Sequence, residues 1–242
     1  MKIKQLIETE NVKGANRVLK NLLERTRTEN VGLGLFYGRP GLGKSRWATK
    51  TAQDNGYVYI RLESNITPKD FLRNLLSRLL HKTMPNYNVT GTQHELYSQI
   101  LDILQNDQNI VVIVDEVEYG FTNERILASI RDLIDQSLAT FVLIGMEKVK
   151  DRLQKIPCFF DRCVGGFFEF KSLTLPDTEK IINELCEIKV DNEIIKYIHN
   201  RCNGTMRLIN KHLDALEKIA RRMSKKELYF NDIKDIISRV EV

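Results

Sequence analysis

Gly38-Arg39-Pro40-Gly41-Leu42-Gly43-Lys44-Ser45 is the stretch from which the rest of the chain is read. Its spacing, G-x-x-x-x-G-K-S, is that of a phosphate-binding loop. Gly38, Gly41 and Gly43 let the backbone wrap a polyphosphate at close range with N–H groups turned inward. Lys44 brings a positive charge to the terminal phosphates, and Ser45 offers a hydroxyl ligand to Mg²⁺. Arg39, Pro40, Leu42 and Arg46 complete the candidate nucleotide-binding set. The flanks agree. Gly34-Leu35-Phe36-Tyr37 suits a buried strand, and Ser45 to Asp54 reads as a helix whose N-terminus faces the anion.

The 242 residues are 42% hydrophobic and 29% charged, enough for one large domain or a medium domain with a small one. No window reaches the roughly 18 consecutive apolar residues of a membrane span, and Met1-Lys2-Ile3-Lys4 leads into no signal-peptide core. A cytoplasmic protein with no membrane partner is expected. The net charge of +5 permits a polyanionic partner without demanding one. Cys158, Cys163, Cys186 and Cys202 form no C-x-x-C pair, and His81, His94, His199 and His212 are too scattered to act as ligands. Reduced, mostly buried thiols are expected rather than structural zinc.

Apolar residues from Val12 to Leu23 keep a helical period ahead of the first strand. Tyr57 to Leu62 reads as a second strand, and Thr67-Pro68 opens an amphipathic helix ending near Leu80. After a loop to about Gln93, a helix over His94 to Asn106 precedes Ile110-Val111-Val112-Ile113-Val114, a run suited to burial on both faces. A helix over about Asn123 to Gln136, a strand over Ala139 to Ile144, a helix over Glu147 to Lys155 and a strand at Phe167 to Phe170 follow. From Leu175-Pro176 onward the pattern is helical only, with four segments and no strand between them. The βαβα order predicts an α/β class, a three-layer parallel-sheet domain, with a small C-terminal all-helical lid. The expected division is an N-terminal helical segment over 1–30, a nucleotide-binding domain over 31–171 and a lid over 172–242. Trp47, on the helix after the loop, is expected in the core.

Asp115 and Glu116 end the most hydrophobic strand. A parallel strand delivers its C-terminal residues to the sheet edge where ligands bind. There Asp115 is suited to the Mg²⁺ shell, and Glu116 to orienting and polarising the water that attacks the γ-phosphate. Two acids that simply end a strand in solvent are the plainer alternative.

Loop, acid pair, element order and helical C-terminus together resemble the AAA+ ATPases, which implies ATP and Mg²⁺ as ligands and ATP hydrolysis as the activity. Phe159-Phe160-Asp161-Arg162 is similar to that family's arginine-finger box, which makes Arg162 the implied finger. Gly204-Thr205-Met206-Arg207 resembles its sensor-2 motif and makes Arg207 the implied lid arginine. The plainer readings are a surface pair of Arg162 with Asp161 and a surface position for Arg207. One departure stands out. The family places a polar sensor residue at the end of strand four, where this chain has Leu143-Ile144-Gly145-Met146, and Thr140 lies at the other end. Either the sensor is supplied elsewhere or turnover is slow.

Within the family, the layout looks most like the transposition ATPases of the MuB and TnsC type. That likeness implies a homo-oligomer, ring or helical filament, on double-stranded DNA, with a transposase or other recombination protein as partner. A replication initiator or helicase loader shares every motif, and a nucleotide-gated signalling switch with little turnover would suit the departure at strand four. Candidate DNA contacts are Lys69, Arg73, Arg78 and Lys82; Lys148, Lys150, Arg152 and Lys155; and the run from Arg221 to Lys226. For any one cluster, a solvated helix face is the plainer reading.

Overall fold

The protein is described from a computed structural model covering residues 6–26, 31–81, 84, 88–163 and 165–237. It divides into two compact units: residues 14–39 with 44–170, and residues 1–13 with 40–43 and 171–242.

The first unit is built on a five-stranded, wholly parallel sheet in the order β2-β3-β4-β1-β5. The sequence pattern explains which strands are central. β1 (Leu33–Gly38), β3 (Val111–Asp115) and β4 (Thr140–Gly145) are buried at every position, as runs covered on both faces must be. β2 (Val58–Arg61) and β5 (Phe167–Phe170), with Tyr, Arg and Glu among their residues, take the edges. The register aligns the strand ends that matter. Tyr37 lies opposite Gly145, and Arg61 lies opposite Asp115. The loop after β1 and the acids after β3 therefore leave the same edge, with the end of β4 between them.

Helices α2 (Lys44–Asn55), α3 (Pro68–Leu80), α4 (Gln93–Asn106) and α5 (Glu124–Ser137) flank this sheet. Their starts follow local chemistry. The Thr67 hydroxyl accepts from the Asp70 amide with Pro68 in the first turn, and Thr92 with Glu95 closes a reciprocal capping box. Trp47 is fully buried among Phe36 and Phe170, with its indole N–H donating to Asn16 at 2.8 Å. The helix expected over 147–155 is present as α6 (Val149–Gln154), and a further single turn that was not expected, α7 (Pro157–Phe160), follows it. Pro157, with no N–H to give, starts the second piece.

The second unit packs α8 (Leu175–Leu185), α9 (Asn192–Cys202), α10 (Met206–Arg222) and α11 (Phe230–Ile237) around Ile181, Ile194, Ile198, Ile209 and Leu213. It is not purely helical. β6 (Lys189–Val190) and β7 (Glu227–Leu228) pair in parallel. Two residues per strand leave no periodicity to detect in a sequence, which is why only helices were expected. Asp191 joins this region by accepting from the Ile194 and Phe230 amides, and so caps α9 while holding the start of α11. Residues before α1 (Glu10–Leu23) and its first turn belong to this unit: Ile7 enters its core, and the Asn11 side chain bonds both the N–H and the carbonyl of Lys171. Of the cysteines, Cys163, Cys186 and Cys202 are buried and unbridged.

Candidate nucleotide site

The loop between β1 and α2 is shaped by backbone that only glycine tolerates. Gly41 has φ +81° and Gly43 φ +97°, the left-handed region, and the Cβ direction of Gly43 is open. Lys44, only 8% exposed, donates from Nζ to the carbonyls of Gly38 at 2.7 Å and Arg39 at 2.8 Å. A buried ammonium must be hydrogen-bonded, and these carbonyls hold it across the loop. Arg39 and Arg46 are exposed, Leu42 is buried, and Ser45 is half-buried at the first turn of α2. The tip, residues 40–43, is held within the second unit. The Arg207 amide donates to the Gly41 carbonyl at 3.1 Å, and a Cβ on Gly41 would lie 2.9 Å from Thr205 Cγ2. Arg207 itself is exposed at the start of α10.

Asp115 is 2% exposed at the end of β3. Its Oδ1 accepts from the Glu116 amide at 2.9 Å and its Oδ2 from the Tyr59 hydroxyl at 2.8 Å. Burial, and then the Asp115 carboxylate beside it, push the Tyr59 hydroxyl up to about 12. The tyrosine is thus a fixed donor that orients the aspartate. Among the described residues Asp115 has no lysine or arginine ion pair, and no three His, Cys, Asp or Glu side chains cluster as a metal cage. A hydroxyl at Ser45 and a carboxylate at Asp115 are hard oxygen donors of the kind Mg²⁺ takes, with phosphate oxygens and water completing its shell. The residues fit the metal nucleotide implied by the motif.

Glu116 adopts φ 57°, ψ 42°, an unusual conformation for a side chain of its size. The chain turns there into a 3₁₀ segment, Val117–Thr122. Glu116 Oε1 pairs with Arg61 at 3.0 Å across the β2–β3 register. Two residues on, Glu118 brings a second carboxyl to the same place. Burial and the hydrogen-bonded Glu116 carboxylate beside it raise its pKa above the ordinary range. Tyr59, Arg61 and Glu118 were not singled out from sequence. Tyr59 and Arg61 read as ordinary strand residues, and only the strand register brings them to the acids.

Arg162, in a 3₁₀ turn (Asp161–Cys163), makes a two-pronged pair with Asp135 at 2.7 and 2.6 Å, so its partner is on α5 rather than the neighbouring Asp161. Of the candidate DNA contacts, Lys69 is exposed and Arg73 pairs with Asp70 at 3.0 Å, while Lys82 lies outside the described residues. Arg61, Arg78 and His81 line a cleft of ≈ 380 Å³ with Asn74, Ser77 and Tyr59. Lys148 is exposed, and Lys150 sits over the rings of Tyr37 and Phe167 at 5.4 and 5.7 Å. Thr140 is spoken for at the opposite end of β4, where its hydroxyl accepts from Arg25 at 2.8 Å.

A family model of AAA domains (AAA_22) matches residues 26–153, just over half of the chain. The protein is an AAA+ family member. This AAA+ chain has the fold of several solved structures. It aligns with Aeropyrum pernix Orc1 in complex with DNA at TM-score 0.63 and 16% identity, over 97% of this chain and 66% of that one. For the A. pernix Orc2 protein in its ADP form the values are 0.66, 16%, 98% and 70%. For a Thermotoga maritima RuvB mutant they are 0.62, 16%, 96% and 70%. This chain thus spans about two-thirds of the length of these proteins, and identities this low speak to fold alone. No curated protein sequence matches it. No helix among the described residues is long and apolar enough to cross a membrane.

Proposed function

We propose that this AAA+ chain is an ATP hydrolase that acts on duplex DNA as a homo-oligomer. The observation that supports it most is the pairing of the Lys44 loop with Asp115 and Glu116 on one sheet edge. In this reading Lys44 holds the terminal phosphates, and Ser45 and Asp115 hold Mg²⁺, which when bound offsets charge on the phosphate oxygens. The Glu116 carboxylate orients the attacking water and accepts its proton. Arg162 is the finger offered to a neighbouring subunit, and Arg207 is the lid arginine. The reading also takes residues 31–171 as the catalytic domain and 172–242 as its lid.

The DNA part rests on exposed cations, including Lys69, Lys148 and Arg78, without a base-reading motif. The transposition role, with a transposase as partner, rests on layout in the sequence. A replication initiator or helicase loader is the second reading, favoured by the likeness to an Orc1 protein that binds DNA. Filter binding on two unrelated duplexes across a salt series tests the shared claim. Binding should need ATP, tolerate sequence, and fall with a slope of about −0.9 per neutralised phosphate. Replacing Lys69, Arg73 and Lys82 together should flatten the slope and leave ATP affinity unchanged. ATP-independent binding, or a strong preference for one duplex, would overturn the proposal.

A further inference from the structure

The cleft of ≈ 380 Å³ beside β2 is open to a ligand that the ATP chemistry does not use. One wall is the edge strand from Tyr59 through Arg61 and on to Glu63, and the other is a stripe of α3 formed by Asn74, Ser77, Arg78 and its C-cap His81. These four recur at intervals of three and four residues, so they lie on one helix face. Each of the four side chains can donate a hydrogen bond, and none has a hydrogen-bond or ion-pair partner among the described residues. Arg78 differs in this from Arg73 on the same helix, which pairs with Asp70 at 3.0 Å. Glu63, the one acid lining the cleft, forms no ion pair among the described residues.

The strand wall adds donors. The Leu62 amide bonds back to the Asp115 carbonyl on β3 at 2.9 Å. Main-chain groups alternate in direction along a parallel pair, so the Tyr59 and Arg61 amides turn away from β3 toward the open edge. Arg61 itself is shared, since it lines the cleft while Glu116 holds its Nη2 at 3.0 Å. A groove rich in donors, with a cation left unpaired, suits an anion whose acceptor oxygens repeat along its length. A nucleic-acid backbone is such a ligand. The α3 stripe rises about 10 Å over seven residues, which spans roughly three phosphates of one strand at about 3.4 Å each. A cation in the last turn is also favoured by the helix dipole, but that accounts for Arg78 alone and not for the donors aligned with it.

We propose that this cleft seats the phosphate backbone of a DNA duplex, with Arg78 as the charge contact and Asn74, Ser77, His81 and the β2 amides as further donors. The inference deepens the DNA-binding reading and rests on it. It places the contact on a different face of α3 from Lys69 and Arg73, which lie roughly 100° round the helix axis. Contacts of this kind hold the backbone and carry no base information.

The test is filter binding of the full chain with ATP to two unrelated duplexes of equal length, from about 50 to 200 mM salt. Arg78→Gln should lower the slope of log affinity against log salt by about 0.9 for each subunit that touches the duplex, on both duplexes alike. Arg78→Lys keeps the charge and should restore most of that slope. Ser77→Glu sets a carboxylate in the cleft without removing a cation and should weaken binding about 10-fold or more. Lys196→Gln, the same loss of charge on an exposed position of α9, should leave the slope unchanged. Affinity for a fluorescent ATP analogue and thermal unfolding are measured in every variant, so that a lost contact is told apart from a lost fold.

An unchanged slope in Arg78→Gln would overturn the proposal, as would wild-type affinity in Ser77→Glu. An equal loss in Lys196→Gln would make net charge the cause and overturn it too. A loss confined to one duplex would mean base reading, which the proposal excludes. If the wild-type chain binds neither duplex, the DNA reading fails and this inference with it. If the wild type binds and the cleft variants match it, only the cleft assignment fails.

Discussion

The loop after β1 and the acid cluster after β3 leave the same sheet edge but are held in opposite ways. The loop is held by backbone: left-handed glycines shape it, Lys44 is anchored on carbonyls five and six residues before it, and the Arg207 amide donates to the Gly41 carbonyl at its tip. The cluster is held by side chains from a distant element, Tyr59 and Arg61 from β2. A site fixed by adjacent backbone can be read from eight consecutive letters. A site fixed by strand register cannot. The two should also fail differently, the loop all at once and the cluster by degrees.

The largest expected effect is at the loop. Lys44→Ala removes the one buried cation of the candidate phosphate site and should abolish binding of a fluorescent ATP analogue; unchanged affinity would break the comparison at its root. Next comes Arg162. Its ion pair with Asp135 is part-exposed and worth on the order of 1 kcal/mol, whereas a finger contributes roughly 10³–10⁵ in rate, so the pair does not bar a role in trans. Arg162→Ala should leave the monomer folded and ATP-bound but slow hydrolysis in the assembled state. Mixing it with Glu116→Gln protein should restore part of the activity, and no recovery in demonstrably mixed oligomers would count against a finger.

At the cluster the effects should be smaller. Tyr59→Phe removes the hydroxyl that orients Asp115 and should lower stability by about 1–2 kcal/mol at neutral pH. Its pH dependence has a definite sign. The folded-state pKa is raised to about 12, so the unfolded chain loses the phenolic proton first and wild-type stability falls as pH rises from 10 towards 12. Tyr59→Phe should lack that fall. Unfolding midpoints at pH 9 and 11 measure it, and equal losses in both proteins would mean that the tyrosine is not held as described.

Much of the fold was legible because its strands are long apolar runs and its helices carry local caps, as at Thr67-Pro68. What escaped is instructive. The paired strands at Lys189–Val190 and Glu227–Leu228 are too short to carry a period. The single turn that Pro157 opens is too short to carry an apolar period. The N-terminal residues join the unit of the C-terminal helices through Ile7 and Asn11, contacts about 160 residues apart in sequence that no local pattern announces. At the site, Lys44, Asp115 and Glu116 could be named in advance because motif spacing ties them to chemistry. Glu118 could not, since an acid two residues beyond a strand-end acid reads as solvated.

The central claim is that Glu116 is the base of an ATP hydrolase and is not itself part of the nucleotide grip. Glu116→Gln keeps the shape of the side chain and removes its capacity to accept a proton. The decisive measurement is phosphate release set against analogue affinity in that variant. The account predicts affinity within about threefold of wild type and phosphate release reduced at least about 100-fold, the scale of a lost general base. Phosphate release near the wild-type rate, from protein shown to bind nucleotide, would contradict it.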